Sequence, residues 1–267
     1  MRFRLKKRRR MREKTASKTR PWYEAAFARE YLSQYAHRSD DAARQEVPFV
    51  AGALNLRRGA RVFDLCCGAG RHSRALAGTG LRVVGMDLSA DLLRAAAEKR
   101  MTRTAFVRGD MRRLPFQDEA FDGLVNLFTS FGYFMNDAEN QRVLNEAARV
   151  LKPGAPFLMD FFNIKLVRRN LVPRSERAVE GMHLRERRWY DLRTRRLNKT
   201  TQILRGDETS TRRESVRGYT RAELTRMFKR AGLAVTKVYG DLSGAKFDER
   251  LSPRCVLLAR KARGGSR

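Results

Sequence analysis

Arg61-Val62-Phe63-Asp64-Leu65-Cys66-Cys67-Gly68-Ala69-Gly70-Arg71-His72-Ser73 is the stretch whose reading decides the fold. The apolar run up to Leu65 predicts a buried strand, two glycines two apart predict a sharp turn, and Arg71 to Ala77 predicts a helix. Glycine suits such a turn because a side chain would hold a ligand off the main chain, and because these turns often need positive φ. The helix start adds unpaired N–H groups and a partial positive charge. Strand, glycine loop and helix together form a cradle for a small anionic group.

The residues beyond the loop narrow the ligand. A dinucleotide fingerprint reads G-x-G-x-x-G/A, whereas Gly68-Ala69-Gly70-Arg71-His72 leads here to Ser73. The acidic strand ends say more. Asp64 lies at the end of the first strand, Leu81 to Met86 is a second strand that ends in Asp87, and Thr104 to Val107 leads to Gly109-Asp110-Met111. One aspartate after a strand is most often a cap or turn former. Three of them at successive strand ends, around one glycine turn, match the amino acid head, ribose diol and exocyclic amine of S-adenosylmethionine.

On these residues the segment from 56 to 160 resembles the class I S-adenosylmethionine-dependent methyltransferases, in pattern those acting on small amines, amino sugars and amino acids. The resemblance implies an α/β fold: a seven-stranded, mostly parallel Rossmann-like sheet whose last strand is antiparallel, with a small antiparallel β cap inserted. It implies S-adenosyl-L-methionine as cofactor. Asp64, Cys66, Gly68, Ala69 and Gly70 would surround the methionine end, and Asp87, followed by Leu88, would accept from the ribose hydroxyls. Asp110 would accept from the adenine amine and the Met111 N–H would donate to the ring, with Leu127 also in contact. Carboxylate acceptors give such contacts strength and polarity. Cys66 stands where the family usually has its first glycine. Cys66 and Cys67, with only Cys255 elsewhere, make no metal ligand set and are expected to pack as small hydrophobes.

The segment after the fourth strand, Phe128-Thr129-Ser130-Phe131-Gly132-Tyr133-Phe134, should lie beside the transferred methyl. It lacks the Asn/Asp-Pro-Pro-aromatic turn of enzymes that methylate base amines, and the cysteine nucleophile needed at C5 of cytosine. It is similar instead to small-molecule methyltransferases. In-line displacement from a good leaving group asks mainly for positioning, so the lack of an acid–base pair is uninformative. Tyr133 and His37 are the candidate bases. Tyr23, Phe27, Tyr31 and Tyr35 recur four apart on one helical face. By resemblance, residues 22–56 supply lid helices, and Tyr31, Tyr35, Tyr133 and Asn163 line the substrate pocket. His72 is expected to pack or hydrogen-bond near the loop.

From 165 to 218 the pattern becomes charged and alternating, interrupted at Gly206-Asp207, which predicts antiparallel hairpins with one wet face. By resemblance this is the cap. Thr220 and Glu223 form a capping box for a helix from Arg221 to Ala231, and two strands come after it. The 267 residues accommodate one methyltransferase domain, expected over 22–267.

The formal charge is +29, with 46 arginines against 12 lysines, and residues 1–20 hold eleven basic residues against one Glu. Residues 1–21 therefore predict a solvated tail with a possible weak contact to nucleic acid or another polyanion. Such charge keeps open an RNA or protein methyltransferase, and a non-catalytic cofactor-binding protein is a further alternative. Three cysteines give no disulfide framework and no apolar run reaches ~20 residues, so the expectation is a cytoplasmic protein.

Overall fold

The computed structural model describes residues 21–25, 39–179 and 181–263. Seven strands form the main sheet: β1 (Arg61–Leu65), β2 (Arg82–Asp87), β3 (Thr104–Arg108), β4 (Gly123–Asn126), β5 (Pro156–Phe162), β10 (Leu233–Tyr239) and β11 (Arg254–Lys261). Their order is β10-β11-β5-β4-β1-β2-β3. The first five pair in parallel, and β11 runs antiparallel to both β5 and β10. The chain builds outward from β1 to β3, then crosses back to place β4 on the other side of β1. That reversal opens a crevice at the carboxyl ends of β1 and β4, where ligands of such sheets bind.

Both faces of the sheet are covered, so the central strands read as continuous apolar runs; β5 is buried at every position. On one face Val62, Val125 and Leu158 pack against α2 (Asp40–Leu54) and α3 (Arg71–Gly78) through Val47, Val50, Leu54 and Leu76. On the other, Phe63, Leu124 and Phe157 meet α5 (Asp137–Val150) and α7 (Arg221–Arg230) through Leu144, Ala147 and Phe228. The remaining helices among the described residues are α1 (Trp22–Ala25), α4 (Ala90–Glu98) and α6 (Ile164–Arg169). Side-chain caps set the starts of the longer helices: Ser39 for α2, Ser89 for α4, Asn136 for α5, and the Thr220–Glu223 box for α7.

The cap is a four-stranded antiparallel meander, β6 (Arg174–Val179), β7 (Met182–Asp191), β8 (Arg196–Arg205) and β9 (Glu208–Arg217). It is more regular than the sequence predicts, and α6 precedes it. Asn163 caps α6: its side chain accepts from the Lys165 N–H at 3.2 Å and donates to the carbonyls of Ser252 and Glu249 at 2.9 and 3.0 Å. Its side chain is thus committed to the fold on both donors, and it is not among the residues that wall the cavity described below.

Candidate active site

At the carboxyl ends of β1 to β4 lies a cavity of about 560 Å³, walled by Asp64, Asp87 and Asp110 at one side and by Phe128, Tyr133 and Phe134 at the other. Cys66, Gly68, Ala69, Leu88, Met111 and Leu127 also line it. The three acidic strand ends and the glycine turn thus share one space.

The turn explains its own sequence. Cys66, Gly68 and Gly70 have φ of 63°, 56° and 73°, so each sits in the left-handed region. A thiol residue at the first of these carries strain that glycine would not. Gly70 needs its missing side chain for packing, since a Cβ would stand 2.7 Å from the Phe106 ring; it is the residue before α3 and does not wall the cavity. At Gly68 a Cβ would meet only Leu92, at 3.9 Å, leaving the cavity side open for a ligand. Burial, and then the carboxylates around it, push the Cys66 thiol well above its usual range, so it is a neutral wall rather than a nucleophile.

Asp64 is 2% exposed and accepts from Ser73 Oγ at 2.5 Å. Burial raises its pKa, and Ser73, His72 and Arg71 only partly offset that. Asp87 accepts from the Gly68 N–H at 2.9 Å with one oxygen and from the Ser89 N–H at 2.9 Å with the other. It is therefore the clip that holds the glycine turn, and burial raises its pKa as well. A buried Asp64 and a half-buried Asp87, both with pKa raised by burial, fit a cavity whose ligand brings hydrogen-bond donors.

Asp110 is more occupied than the sequence reading expects. Arg112 grips both of its oxygens, the shortest contact being 2.6 Å, reaches Glu139 at 2.5 Å and lies 4.4 Å over the Phe134 ring. Burial works to raise the Asp110 pKa, but Arg112 brings it net below the usual value. Asp110 keeps a place in the cavity wall, with much of its acceptor capacity already taken.

The far wall is a loop whose main chain is tied down almost residue by residue. Phe128 and Thr129 both have positive φ, 63° and 60°. The fully buried Asp160 of β5 holds them: its side chain accepts from the Phe128 N–H at 2.9 Å and its carbonyl from the Thr129 N–H at 3.0 Å. Arg254 of β11 completes this brace, donating to both Asp160 oxygens at 2.6 Å and to Thr129 Oγ1 at 3.0 Å. Further on, Asn140 of α5 accepts from the Phe134 N–H at 3.3 Å and donates to its carbonyl at 3.1 Å. From the cap, the Arg217 N–H donates to Gly132 O at 2.8 Å, and Arg196 donates to Gly132, Tyr133 and Phe134 carbonyls at 3.3, 2.9 and 2.8 Å. No sequence pattern marks Arg196, since one arginine among 46 looks like any other.

Tyr133 lines the cavity and meets the Trp22 ring edge-on at 5.1 Å; Tyr23, also in the wall, meets Phe134 at 5.3 Å. The α1 residues thus roof this end. Tyr31, Tyr35 and His37 lie outside the described residues. His72 bonds Glu46 of α2 at 2.6 Å, and Arg74 ties the Ala69 carbonyl at 2.7 Å to Asp40 at 2.5 Å, so α2 is clamped onto the turn. Among the described residues no His, Cys, Asp and Glu cluster is arranged for a metal ion.

A family model described as a methyltransferase domain matches residues 62–154. Demethylmenaquinone methyltransferase of Clavibacter sepedonicus is 38% identical over 116 residues, 42% of this chain and 46% of the relative, so the chain spans about half the length of such relatives. Among solved structures, the CcbJ methyltransferase from Streptomyces caelestis superposes with a TM-score of 0.76 at 20% identity, covering 89% of this chain and 97% of CcbJ. CalS10, an S-adenosylmethionine-bound amino pentose methyltransferase from Micromonospora echinaspora, gives 0.64 at 21% identity, covering 87% and 96%. Residues 62–154 thus match a methyltransferase domain, and the chain has the fold of these S-adenosylmethionine-dependent methyltransferase structures.

Proposed function

We propose that the chain transfers a methyl group from S-adenosyl-L-methionine to a nitrogen or oxygen of a small molecule. The observation that carries this reading is the convergence of Asp64, Asp87, Asp110 and the open face of the Gly68–Ala69 turn on one cavity that ends at an aromatic, backbone-anchored loop. The cofactor brings an electrophilic sulfonium methyl and a good leaving group. Asp64 would face its ammonium, Asp87 its ribose, and Leu88, Met111 and Leu127 its apolar surfaces.

The chain's own part is positional. Phe128, Ser130, Tyr133 and Phe134 wall the acceptor end, and Tyr23 above Phe134 limits water entry. Tyr133 is the residue we assign to orient the acceptor's nucleophilic atom. Phe131 and Tyr219 sit in the core below, which leaves the loop little freedom to shift. The buried Cys67 and Cys255 and the partly buried Cys66 are free thiols, which suits a reducing cytoplasm.

Methyl-labelled cofactor offered with an amine and amino-sugar panel, a quinol panel and RNA tests the assignment. Label should enter a small molecule. Transfer only to RNA, or cofactor binding by calorimetry with no transfer to any panel, would refute it.

A further inference from the structure

Six large apolar residues stand exposed among the described residues, and three of them gather at one end of the cap: Val172 (57%), Trp189 (42%) and Leu192 (72%). Trp189 belongs to β7 and Leu192 to the turn after it. The Arg188 N–H donates to Pro173 O at 2.8 Å, which carries the β6–β7 ladder one step beyond the Arg174–Arg187 pair and sets Val172 across from Trp189. With strands about 4.8 Å apart, Val172 and Trp189 are neighbours, and Leu192 lies three residues beyond Trp189, in the turn at the same end of the sheet. Single exposed apolar residues need no explanation; a group of them does.

The same sheet face is basic. Arg174, Arg187, Thr200 and Arg213 pair in register across all four strands. Like charges directly opposite weaken a sheet, and among the described residues none of these three arginines forms an ion pair. The Arg187 guanidinium lies 5.7 Å over the Trp189 ring, and Arg193 comes directly after Leu192. Nearby acids are engaged elsewhere: Asp191 accepts from the Arg193 and Thr194 N–H groups inside its turn, and Glu176 faces His183 and Arg185. The arginine-rich composition accounts for positive charge anywhere on the surface, but not for an apolar group inside it.

We propose that this end of the cap docks on an anionic lipid surface, with Val172, Trp189 and Leu192 at the acyl boundary and Arg174, Arg187 and Arg213 on the lipid phosphates. Trp and Leu flanked by arginines suit the headgroup layer, where apolar bodies and charged tips find different surroundings. A nucleic acid strand is the poorer fit. It would stack on Trp189 and leave Val172 and Leu192 in water. The proposal stands apart from the methyltransferase reading and needs no activity for its test.

The full chain is sedimented with vesicles of phosphatidylcholine alone and with vesicles holding one phosphatidylglycerol for every two phosphatidylcholines. Residues 1–20 would draw the chain to any polyanion, so the decisive variant, Trp189→Ser with Leu192→Ser, leaves the net charge at +29. The wild type should sediment with the anionic vesicles. The double variant should partition at least tenfold less while keeping its circular dichroism and unfolding temperature. Tryptophan emission should shift blue on the vesicles in the wild type and not in Trp189→Phe, where only Trp22 remains. Equal partitioning of the double variant, or a shift that survives Trp189→Phe, overturns the proposal. So does a double variant that loses single-stranded RNA binding while still sedimenting with vesicles.

Discussion

Replacing Arg196 by methionine asks whether the cap holds the acceptor loop in place. The guanidinium is 2% exposed, and besides the three loop carbonyls it donates to Ser215 O at 2.5 Å and Ser215 Oγ at 2.8 Å. Gly132 O and Phe134 O keep second donors, in the Arg217 N–H and Asn140. The loss therefore falls on the Tyr133 and Ser215 oxygens, at about 1–3 kcal/mol for each buried acceptor. Removing a buried cation recovers some desolvation cost, in keeping with the burial that already lowers the Arg196 pKa. The net expectation is about 2–4 kcal/mol, a fall of roughly 5–15 °C in unfolding temperature for a chain of this size. Arg196→Lys should fall between, because an ammonium cannot span three consecutive carbonyls. If the guanidinium positions Tyr133, kcat/KM for the acceptor drops at least tenfold while cofactor affinity by calorimetry stays within about twofold. A stable Arg196→Met protein with unchanged kcat/KM would refute the reasoning. A parallel loss of cofactor affinity would show that the damage had spread beyond the loop.

The other predictions concern the cofactor end. Asp87→Ala should weaken S-adenosylmethionine binding by about 1.5–3 kcal/mol, read as Kd in calorimetry, since it removes an acceptor and unclips the Gly68 N–H; an unchanged Kd removes Asp87 from the ribose role. Burial raises the Asp64 pKa above its ordinary 3.8, so its contribution to stability is present below that value and is lost as pH rises through the folded pKa. Binding a cationic head favours the carboxylate, so cofactor binding at acidic pH above the ordinary 3.8 should release protons, measurable in buffers of different ionisation enthalpy. Asp64→Asn should release fewer, and equal release would exclude Asp64 from that contact. Cys66→Gly should be more stable than Cys66→Ala by about 1 kcal/mol in denaturant titration, because φ is 63° there; the reverse order would mean that the backbone is unstrained.

Much of the glycine-turn end of the cavity was legible because it is local. The β1 strand, its glycine turn and the α3 start occupy one run of thirteen residues, and period, glycine spacing and acid placement are all visible there. The Thr220–Glu223 box was readable for the same reason, since both partners lie within one turn of helix. The bonds from Asn163 to Glu249 and Ser252 were not legible because those partners lie more than 80 residues away and meet it only once β11 closes beside β5. Arg112 escaped notice because only the folded loop turns it back on Asp110, two residues before it. The alternating charges of 165–218 announced strands but not that Arg196 and Arg217 would be the buried arginines among them, because that choice is made by the loop the cap rests on.

That loop shows where the chain invests its interactions. Two consecutive non-glycine residues at positive φ, Phe128 and Thr129, are costly, at about 1–3 kcal/mol each. They persist because Asp160 and Arg254 brace them from the sheet, Asn140 holds Phe134 from α5, and Arg196 with Arg217 holds Gly132 to Phe134 from the cap. Gly132 is part of the same design: at φ 84°, a Cβ there would stand 2.9 Å from the Arg217 carbonyl, so only glycine lets the cap strand close on the loop. A reaction limited by proton transfer would repay this effort in tuned acids and bases. The displacement we propose, on a methyl with a good leaving group, would repay it in distance and alignment, and a loop fixed from three sides at the end of the cavity is what that chemistry asks of a protein.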